Sequence, residues 1–226
     1  MDNKDPEGTS LINRIANVVG HELRNPLAVI NNSAYFLKAK LGGGADPKVA
    51  KHLAIIESEI ARADRLISDI VAYSRKLEPR ISRFSLNGLV SGLLDEYEAV
   101  PGRKIERQFC PGELEVSADQ GLLEEAVRRL LDNAFDAAGA SGTVGVSTAD
   151  GASGAVVAVS DDGPGVDPKV RDSLFDPFVT TKPRGLGLGL SFARKALAAH
   201  GGTVAVEARR GGGTVAIATL PAKKAG

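Results

Sequence analysis

The sequence contains little that would place it in an oxidising compartment or inside a membrane. Cys110 is its single cysteine, so the chain forms no internal disulfide and offers no cysteine cluster for a metal. The 28 basic and 28 acidic residues cancel, which leaves no overall field to attract nucleic acid or anionic lipid. No apolar run approaches the roughly 20 residues of a membrane span, and the N-terminus lacks the apolar core of a signal peptide.

These absences favour a cytoplasmic protein, either soluble by itself or the cytoplasmic portion of a longer membrane protein. We expect no nucleic-acid partner and no membrane segment in this chain. Its 226 residues suffice for one large domain or two modest ones. A composition of 43% hydrophobic and 25% charged residues is ordinary for a globular chain.

Two long amphipathic segments come first. The apolar residues between Val49 and Ile70 recur at alternating steps of four and three, which is typical of a coiled-coil or bundle seam. Asp46 and Pro47 predict the start of this helix. The residues from Leu23 to Leu41 keep the same steps, and Gly42–Gly44 then predicts a short turn, so the two segments form an antiparallel helical hairpin.

Two helices cannot enclose such a seam by themselves. Each fully buried Leu or Ile contributes roughly 1.5–3 kcal/mol, so a long exposed stripe would be costly. We therefore expect two hairpins to pair into a four-helix bundle, which makes the protein a homodimer. A monomeric hairpin docked on the C-terminal part is the alternative.

A cluster of chemically active residues lies inside the first helix. His21, Glu22 and Asn25 fall within five positions, and Pro26 follows. His21 and Asn25 share a helix face one turn apart, and Glu22 lies beside His21. Pro26 removes a backbone hydrogen bond at the point where the apolar phase changes, which predicts a kinked turn. A packing histidine needs none of this, whereas a histidine that accepts and loses a phosphoryl group could use all of it.

Beyond residues 80–83 the chain mixes short strands and helices that do not alternate strictly, which predicts an α+β sandwich. The predicted helices are Ser85–Ala99, Gln120–Ala138 and Leu188–Ala199. The predicted strands are Ile105–Cys110, Glu113–Ala118, Thr143–Thr148, Ala155–Ser160, Thr203–Ala208 and Gly213–Leu220, the last two joined as a hairpin.

Three further motifs suggest where a nucleotide could bind. Asp161 ends an apolar strand and is followed by two glycines, so a carboxylate suited to the adenine amine lies beside backbone that a flat ligand can approach. An ordinary turn would have the same residues.

Gly185–Leu190 precedes a helix, where backbone N–H groups can face phosphates; a flexible loop or a close-packing site is the alternative. Thr180–Arg184 before it is polar and basic, which suits a mobile lid. Asn133 lies in an apolar-periodic helix and has an oxygen of the kind that Mg²⁺ accepts; an ordinary hydrogen-bonded helix residue is the alternative.

The order of these motifs is more specific than any one of them. His21–Leu27, Leu130–Ala134, Asp161–Gly165, Phe175–Phe178 and Gly185–Gly189 follow one another as the corresponding boxes do in the sensor histidine kinases of two-component signalling, which this chain resembles. With the helical hairpin and the last strands, the resemblance covers nearly the whole chain.

The resemblance implies a division of the chain and the roles of its helical motif. Residues 9–78 would be the dimerisation and phosphotransfer hairpin, 79–84 a linker or hinge, and 85–222 a catalytic domain with the Bergerat (GHKL) ATP-binding fold. His21 would be the phosphoacceptor and Glu22 its acid/base. Asn25 would orient a water that dephosphorylates the partner.

The resemblance also implies an ATP site with Mg²⁺ as cofactor. Asn133 would coordinate Mg²⁺ and Asp161 would read adenine. The remaining ATP-binding residues would be Gly163, Gly165, Phe178, Lys182, Arg184, Gly185, Leu186, Gly187, Leu188 and Gly189. The lid between Phe178 and Gly185 is short and resembles that of nitrogen-regulator-type kinases.

Two positions depart from the family pattern. Arg129 stands where the family usually has an asparagine, and it would either contact phosphate or point away as solvated surface. Asp136 stands where many members have a basic or amide residue. Topoisomerase-like ATPases, which share the fold, have a water-activating glutamate at the position of Arg129, so direct ATP hydrolysis is not favoured.

The resulting expectation is an ATP-dependent protein-histidine kinase. It would phosphorylate His21 and transfer the phosphoryl group to an aspartate on the receiver domain of a response regulator. The main alternative is a non-catalytic dimeric phosphotransfer or scaffold adaptor with a degenerate nucleotide site. A chaperone- or topoisomerase-like ATPase is a more distant alternative.

Overall fold

The computed structural model describes residues 6–41, 46–182 and 185–222, with side chains described from residue 23 onward. The chain divides into two compact units at the bond between Lys76 and Leu77. Among the described helices, none combines the length and apolar character that crossing a membrane requires.

The first unit consists of two helices, α1 (Pro6–Leu41) and α2 (Pro47–Ser74). Asp46 caps α2, because its carboxylate accepts the Lys48 N–H at 2.7 Å, and Pro47 fills the first turn as predicted. α1 continues as a helix on both sides of Pro26, so this proline does not end the helix. The glycine turn predicted at 42–44 lies outside the described residues.

Two ion pairs show that α1 and α2 run antiparallel. Arg24 binds Asp64 at 3.1 Å, and Lys38, further along α1, binds Glu57, further back along α2, at 2.8 Å. Among the side chains described in this unit, the buried apolar residues are Ala34, Leu53, Ile67 and Val71. Many other apolar residues are exposed in the single chain: Leu23, Val29, Ile30, Tyr35, Phe36, Leu37, Leu41, Val49, Ile55, Ile56 and Ile70. The hairpin therefore buries only part of the predicted seam.

The described part of the second unit combines a five-stranded sheet, a two-stranded sheet, three α-helices and a short 3₁₀ helix, Pro168–Val170. In chain order its elements are β1 (Ser82–Ser85), α3 (Leu86–Glu98), β2 (Lys104–Gln108), β3 (Glu115–Ala118), α4 (Gln120–Ala138), β4 (Thr143–Gly151), β5 (Gly154–Asp161), α5 (Gly189–Ala199), β6 (Thr203–Ala208) and β7 (Thr214–Thr219). The large sheet has the order β2-β4-β5-β7-β6, in which β2 and β4 are parallel and the other neighbours antiparallel. β1 pairs antiparallel with β3. This is the mixed α/β architecture expected for residues beyond the hairpin.

One face of the large sheet packs on helices, and the alternation of side chains determines which residues lie there. On β5 the buried residues Val157 and Val159 are followed, two positions on, by Asp161, which is 5% exposed. α4 buries six apolar residues against this layer: Leu123, Ala126, Val127, Leu130, Leu131 and Ala134. Asp161 is therefore the last inward-facing position of a central strand.

Strand β1 was not predicted from the sequence pattern, and neither was the short 3₁₀ helix Pro168–Val170. Residues 82–84 of β1 fall in the segment interpreted as a linker, yet Ser82 pairs with Ala118 and Ser85 with Glu115. Four residues are too few for a periodic signal, so the pairing with β3 decides their conformation.

Candidate functional site

Asp161 is a buried carboxylate at the end of β5. Its Oδ1 accepts the Gly163 N–H at 2.9 Å, and the Thr214 N–H of β7 also bonds to this carboxyl group. Burial raises the pKa of Asp161, and these two backbone donors act against that rise. A buried acceptor at a strand end is suited to a ligand that donates a hydrogen bond.

The glycines after Asp161 allow backbone segments to approach closely. A Cβ on Gly163 would lie 2.5 Å from the Ala137 carbonyl oxygen and 2.9 Å from Asp161 Oδ1. Gly165 has a φ of +81°, which favours glycine. The loop after β5 therefore lies against the C-terminal end of α4, and side chains in it would close the space beside Asp161.

Asn133, one helical turn before Ala137, is contacted from two other segments. The Lys182 ammonium donates to Asn133 Oδ1 at 2.8 Å. Gly189, the first residue of α5, lies so close that its Cβ would be 3.3 Å from Asn133 Nδ2. The structure thus brings Asn133, Lys182 and Gly189 together at the C-terminal half of α4, where the loop that follows Asp161 also lies.

The Lys182 ammonium also donates to Asp136 Oδ2 at 2.7 Å. An amide oxygen and a carboxylate oxygen therefore converge on one cation, and hard oxygens of this kind are the ligands that Mg²⁺ prefers. The ammonium acts as a stand-in ion at this place, so the residues present are compatible with a divalent cation bound by Asn133.

The segment from Phe178 to Gly187 forms a loop with its two ends joined. The Phe178 N–H donates to the Gly187 carbonyl at 3.2 Å. Gly187 has a φ of +69°, and a Cβ there would overlap the Val179 backbone. Inside the loop, the Lys182 N–H donates to Thr180 Oγ1 at 3.0 Å and the Gly185 N–H to the Lys182 carbonyl at 3.3 Å. Arg184 lies outside the described residues.

Phe178 is the one non-glycine residue with a positive φ, +67°, in the described chain. Its side chain is 63% exposed although it is a large apolar group. Backbone strain and an exposed ring at the entrance of a loop are common at ligand-binding sites.

The N-terminus of α5 supplies backbone donors near Asn133. Leu188 occupies the cap position, and within the described residues no side chain caps this helix end. Leu188 is buried and Leu186 half-buried, so their side chains anchor the end of the loop that leads into α5 while the first N–H groups stay available. An uncapped helix N-terminus attracts anions such as phosphate.

Arg129 is not the solvated surface side chain that was one of the two alternatives considered from the sequence, and its contact with phosphate stays a prediction. Its guanidinium pairs with Glu125, one turn earlier on α4, at 2.6 Å. It also lies over the Phe192 ring of α5, 5.8 Å from the centroid. Arg129 therefore links α4 to α5 through partly buried contacts, and in this conformation it is neither a fully solvated side chain nor directed away from the fold.

The helical motif lies in α1, in the other unit. The backbone of His21 and Glu22 is helical, and their side chains lie outside the described residues. Asn25 is exposed. Arg24 binds Asp64 and donates to Ser68 Oγ at 2.9 Å, a tie between α1 and α2 beside the motif that sequence reasoning missed.

Sequence reasoning also missed three residues around Asp161. Both oxygens of Asp162 accept the Thr143 N–H, each at 3.0 Å, which fixes the start of β4. Arg209 Nη1 donates to the Asp161 carbonyl at 3.4 Å. A Cβ on Gly213 would overlap that same carbonyl. The glycine-rich turn between β6 and β7 was recognised, but no local pattern indicates that it lies beside Asp161.

Two family models match this chain. Residues 11–79 match the His Kinase A (phospho-acceptor) domain. Residues 118–224 match the family described as histidine kinase-, DNA gyrase B- and HSP90-like ATPase. The first match covers α2 and all of α1 except its first five residues. The second covers α4, α5 and the large sheet except β2.

Curated relatives and solved structures agree with these matches. The chain is 29% identical to the sensor histidine kinase ZraS of Escherichia coli over 96% of its own length and 47% of the relative. It is 28% identical to sporulation kinase C of Bacillus subtilis over 97% of its length and 51% of the relative. The chain thus spans about half the length of the curated relatives it matches.

Among solved structures, the catalytic domain of the histidine kinase ThkA is similar at a TM-score of 0.57 and 30% identity, covering 63% of this chain and 97% of that one. The structure of ThkA in complex with the response regulator protein TrrA is similar at a TM-score of 0.70 and 28% identity, covering 97% of this chain and 64% of that one.

Proposed function

Because this chain belongs to the histidine kinase family, we propose that it is an ATP-dependent protein-histidine kinase that phosphorylates its own His21. The phosphoryl group then passes to an aspartate on the receiver domain of a response regulator. Because ATP is the phosphoryl donor, we propose that the reaction takes place in the cytoplasm.

One observation carries the proposal: Asn133, Lys182 and Gly189 meet at the C-terminal half of α4, against which the loop after Asp161 also packs. Asp161 is the acceptor for the adenine amine, and the glycines beside it leave room for the ring. Lys182 and the uncapped N-terminus of α5 lie where phosphates would be bound. The other residues proposed to contact ATP are Gly163, Gly165, Phe178, Arg184, Gly185, Leu186, Gly187 and Leu188.

Asn133 would hold Mg²⁺, whose charge would offset that of the phosphates during transfer. The chain's own contribution is mostly positioning and charge neutralisation. The Lys182 ammonium and the α5 N–H groups supply positive potential without any change in covalent structure. Arg129, paired with Glu125, leaves no carboxylate at the position where related ATPases activate water, so His21 is the favoured acceptor.

At the acceptor, a ring nitrogen of His21 attacks the γ-phosphorus with its lone pair, and the bond to the departing ADP oxygen breaks. Glu22, its neighbour in the sequence, takes the proton from the other ring nitrogen as the new bond forms. Histidine is largely neutral at cytoplasmic pH, so the nucleophilic form is abundant.

We propose that residues 9–78 form the dimerisation and phosphotransfer domain, 79–84 a hinge and 85–222 the ATP-binding domain. Exposed apolar residues on α1, such as Ile30 and Leu37, and on α2, such as Ile56, flank the buried seam of the hairpin. Because α1 and α2 are antiparallel, these two flanks fall on one side of the hairpin. A second copy would bury both in a four-helix bundle.

The response regulator is the proposed partner, since the similar histidine kinase ThkA has been solved in complex with the response regulator protein TrrA. Asn25 is exposed one turn from His21, and we propose that it orients water for dephosphorylation of the regulator's aspartate. Replacement of Asn25 by Ala would then slow dephosphorylation and leave autophosphorylation intact.

The experiment uses radiolabelled ATP and the full chain. His21→Gln should abolish acid-labile incorporation while ADP binding persists. His52→Gln is the matched control, because His52 is an exposed histidine of the same hairpin, and it should incorporate phosphate as the unchanged protein does. Incorporation that survives His21→Gln contradicts the assignment. Absence of both nucleotide binding and incorporation in the unchanged protein would favour the non-catalytic adaptor with a degenerate nucleotide site instead.

A further inference from the structure

The contact of Lys182 with Asn133 and Asp136 has a consequence beyond the proposed kinase activity, on which the following inference rests. Asn133 and Asp136 lie three positions apart on α4 and so share a face of the helix. Their side-chain oxygens accept from one ammonium at 2.8 and 2.7 Å. The Lys182 ammonium group thus joins the predicted lid, Thr180–Arg184, to α4.

Asn133 Oδ1 cannot serve two cations at once. If it coordinates Mg²⁺ with the nucleotide, the Lys182 ammonium has to leave it, because two positive charges at coordination distance repel strongly. The side chains of Lys182 and Asp136 are 37% and 61% exposed. The ammonium can therefore leave without unfolding any buried packing.

We propose that Asn133 and Asp136 form one cation site that Lys182 occupies in the nucleotide-free protein and Mg²⁺ occupies in the nucleotide complex. Lys182 is released from Asn133 when Mg²⁺ arrives with the nucleotide, and its charge becomes available to the phosphates. The kinase assignment alone implies Asn133 for the metal, and the new element is the role of Asp136 as the counter-charge for both cations.

The charge of Asp136 explains why such an exchange would make binding depend on the metal. Without Mg²⁺, the Asp136 carboxylate repels the phosphates and holds Lys182 away from them. With Mg²⁺, the same carboxylate stabilises the metal, and Lys182 is free. Asp136 therefore raises the affinity for metal-bound nucleotide relative to metal-free nucleotide.

The test measures ADP binding to the full chain by calorimetry, once in MgCl₂ and once in EDTA. ADP is used because its binding is read directly and requires no phosphoryl transfer. The quantity compared is the ratio of the dissociation constant in EDTA to that in MgCl₂, in which the affinity of ADP itself for Mg²⁺ is common to all variants.

Asp136→Asn should lower this ratio roughly tenfold, since a contact to a charged group is removed. Asp136→Glu should keep most of it. Asp150→Asn is the matched control: it is an exposed aspartate at the far end of β4 and β5 from Asp161, and it should leave the ratio unchanged.

Asp136→Glu keeps the test decisive if Asp136→Asn binds ADP weakly, because it retains the carboxylate. A ratio for Asp136→Asn equal to that for Asp150→Asn overturns the shared site, and so does a ratio for Asp136→Glu that falls as far as that for Asp136→Asn. Absence of ADP binding by the unchanged protein in both buffers overturns the kinase proposal itself, and this result is seen before any substitution is made.

Discussion

The two units of this chain bury their apolar side chains to very different extents. Among the side chains that the structure describes, four buried apolar residues belong to the hairpin of α1 and α2 and twenty-six to the unit from Leu77 onward. The exposed large apolar residues divide the other way, eleven in the hairpin and three in the second unit. The second unit therefore completes its own core, whereas the hairpin leaves much of its apolar surface for another surface to cover.

This difference corresponds to the proposed division of labour. A closed core keeps the convergent residues around α4 in fixed positions, as a binding site requires. A hairpin that depends on a partner surface becomes stable only when it is paired, so its stability depends on concentration. The predictions below test this contrast, beginning with the largest effect.

Truncation of a core residue of the second unit should have the largest effect. Leu94→Ala on α3, at a fully buried position, should lower the free energy of unfolding by about 2–5 kcal/mol. Ile55→Ala on α2, where the residue is 45% exposed, should change it by less than about 1 kcal/mol. Calorimetry at two protein concentrations measures both. A Leu94→Ala effect that grows on dilution would show that the second unit also depends on association.

Ile30→Glu should weaken the dimer with little effect on the second unit. Ile30 is 49% exposed in the single chain. Burial of this exposed part in the dimer contributes about 1 kcal/mol per copy. Two copies per dimer then raise the dissociation constant roughly thirtyfold. Sedimentation equilibrium measures it. Asn32→Glu, on the other side of α1, is the control, and equal weakening by both variants would refute the proposed interface.

Two glycines give a matched pair within the second unit. Gly187→Ala should cost about 1–2 kcal/mol because its φ is +69°, and its Cβ would lie 2.6 Å from the Val179 carbonyl carbon. Gly92→Ala, in the exposed interior of α3 with open space around it, should stabilise by about 0.5–1 kcal/mol. Thermal unfolding measures whether each of the two variants is destabilised or stabilised. Nucleotide affinity should fall for Gly187→Ala alone, since only this residue joins the ends of the lid.

Lowering the pH should weaken nucleotide binding through Asp161, an effect that is smallest near neutrality. Burial raises the pKa of Asp161, so its carboxylate is protonated at a higher pH than an ordinary aspartate, whose pKa is about 3.9. Protonation removes the acceptor for the adenine amine, so affinity falls as the pH drops through this raised pKa. ADP titrations across the acidic range measure it, and an affinity that stays flat down to the ordinary aspartate range is the contradicting result.

Protonation of Asp161 affects the stability of the fold in the opposite direction to its effect on nucleotide binding. Because the folded pKa of Asp161 exceeds its unfolded value, the ionised group disfavours folding at neutral pH. That cost disappears as the pH falls through the folded pKa. Binding and stability thus respond in opposite directions to protonation of one carboxyl group.

Strong local signals made much of the second unit predictable. α4 begins and ends where the sequence predicted, because Asp119 caps it by accepting the Leu122 N–H at 2.9 Å and Gly139 ends it with a φ of +68°. β6 was also predicted with its observed bounds. Periodicity, caps and turns are properties of neighbouring residues, so one sequence contains them.

The features that were missed depend on residues far apart in the chain. Arg209 lies 48 positions from Asp161, and they meet because β7 lies between β5 and β6 in the sheet. Lys182 and Asp136 are joined across 46 positions. Neither contact has a local signature, since sheet order and loop placement are set by packing of the whole unit.

The central claim is that the nucleotide site of the second unit acts on one residue of the hairpin. Its most direct test is incubation of the full chain with Mg-ATP, followed by mass-spectrometric mapping of the phosphorylated residue at neutral pH. The account predicts a single phosphoryl group on His21 that is lost in acid. Phosphate on any other residue, or an acid-stable modification, would contradict it.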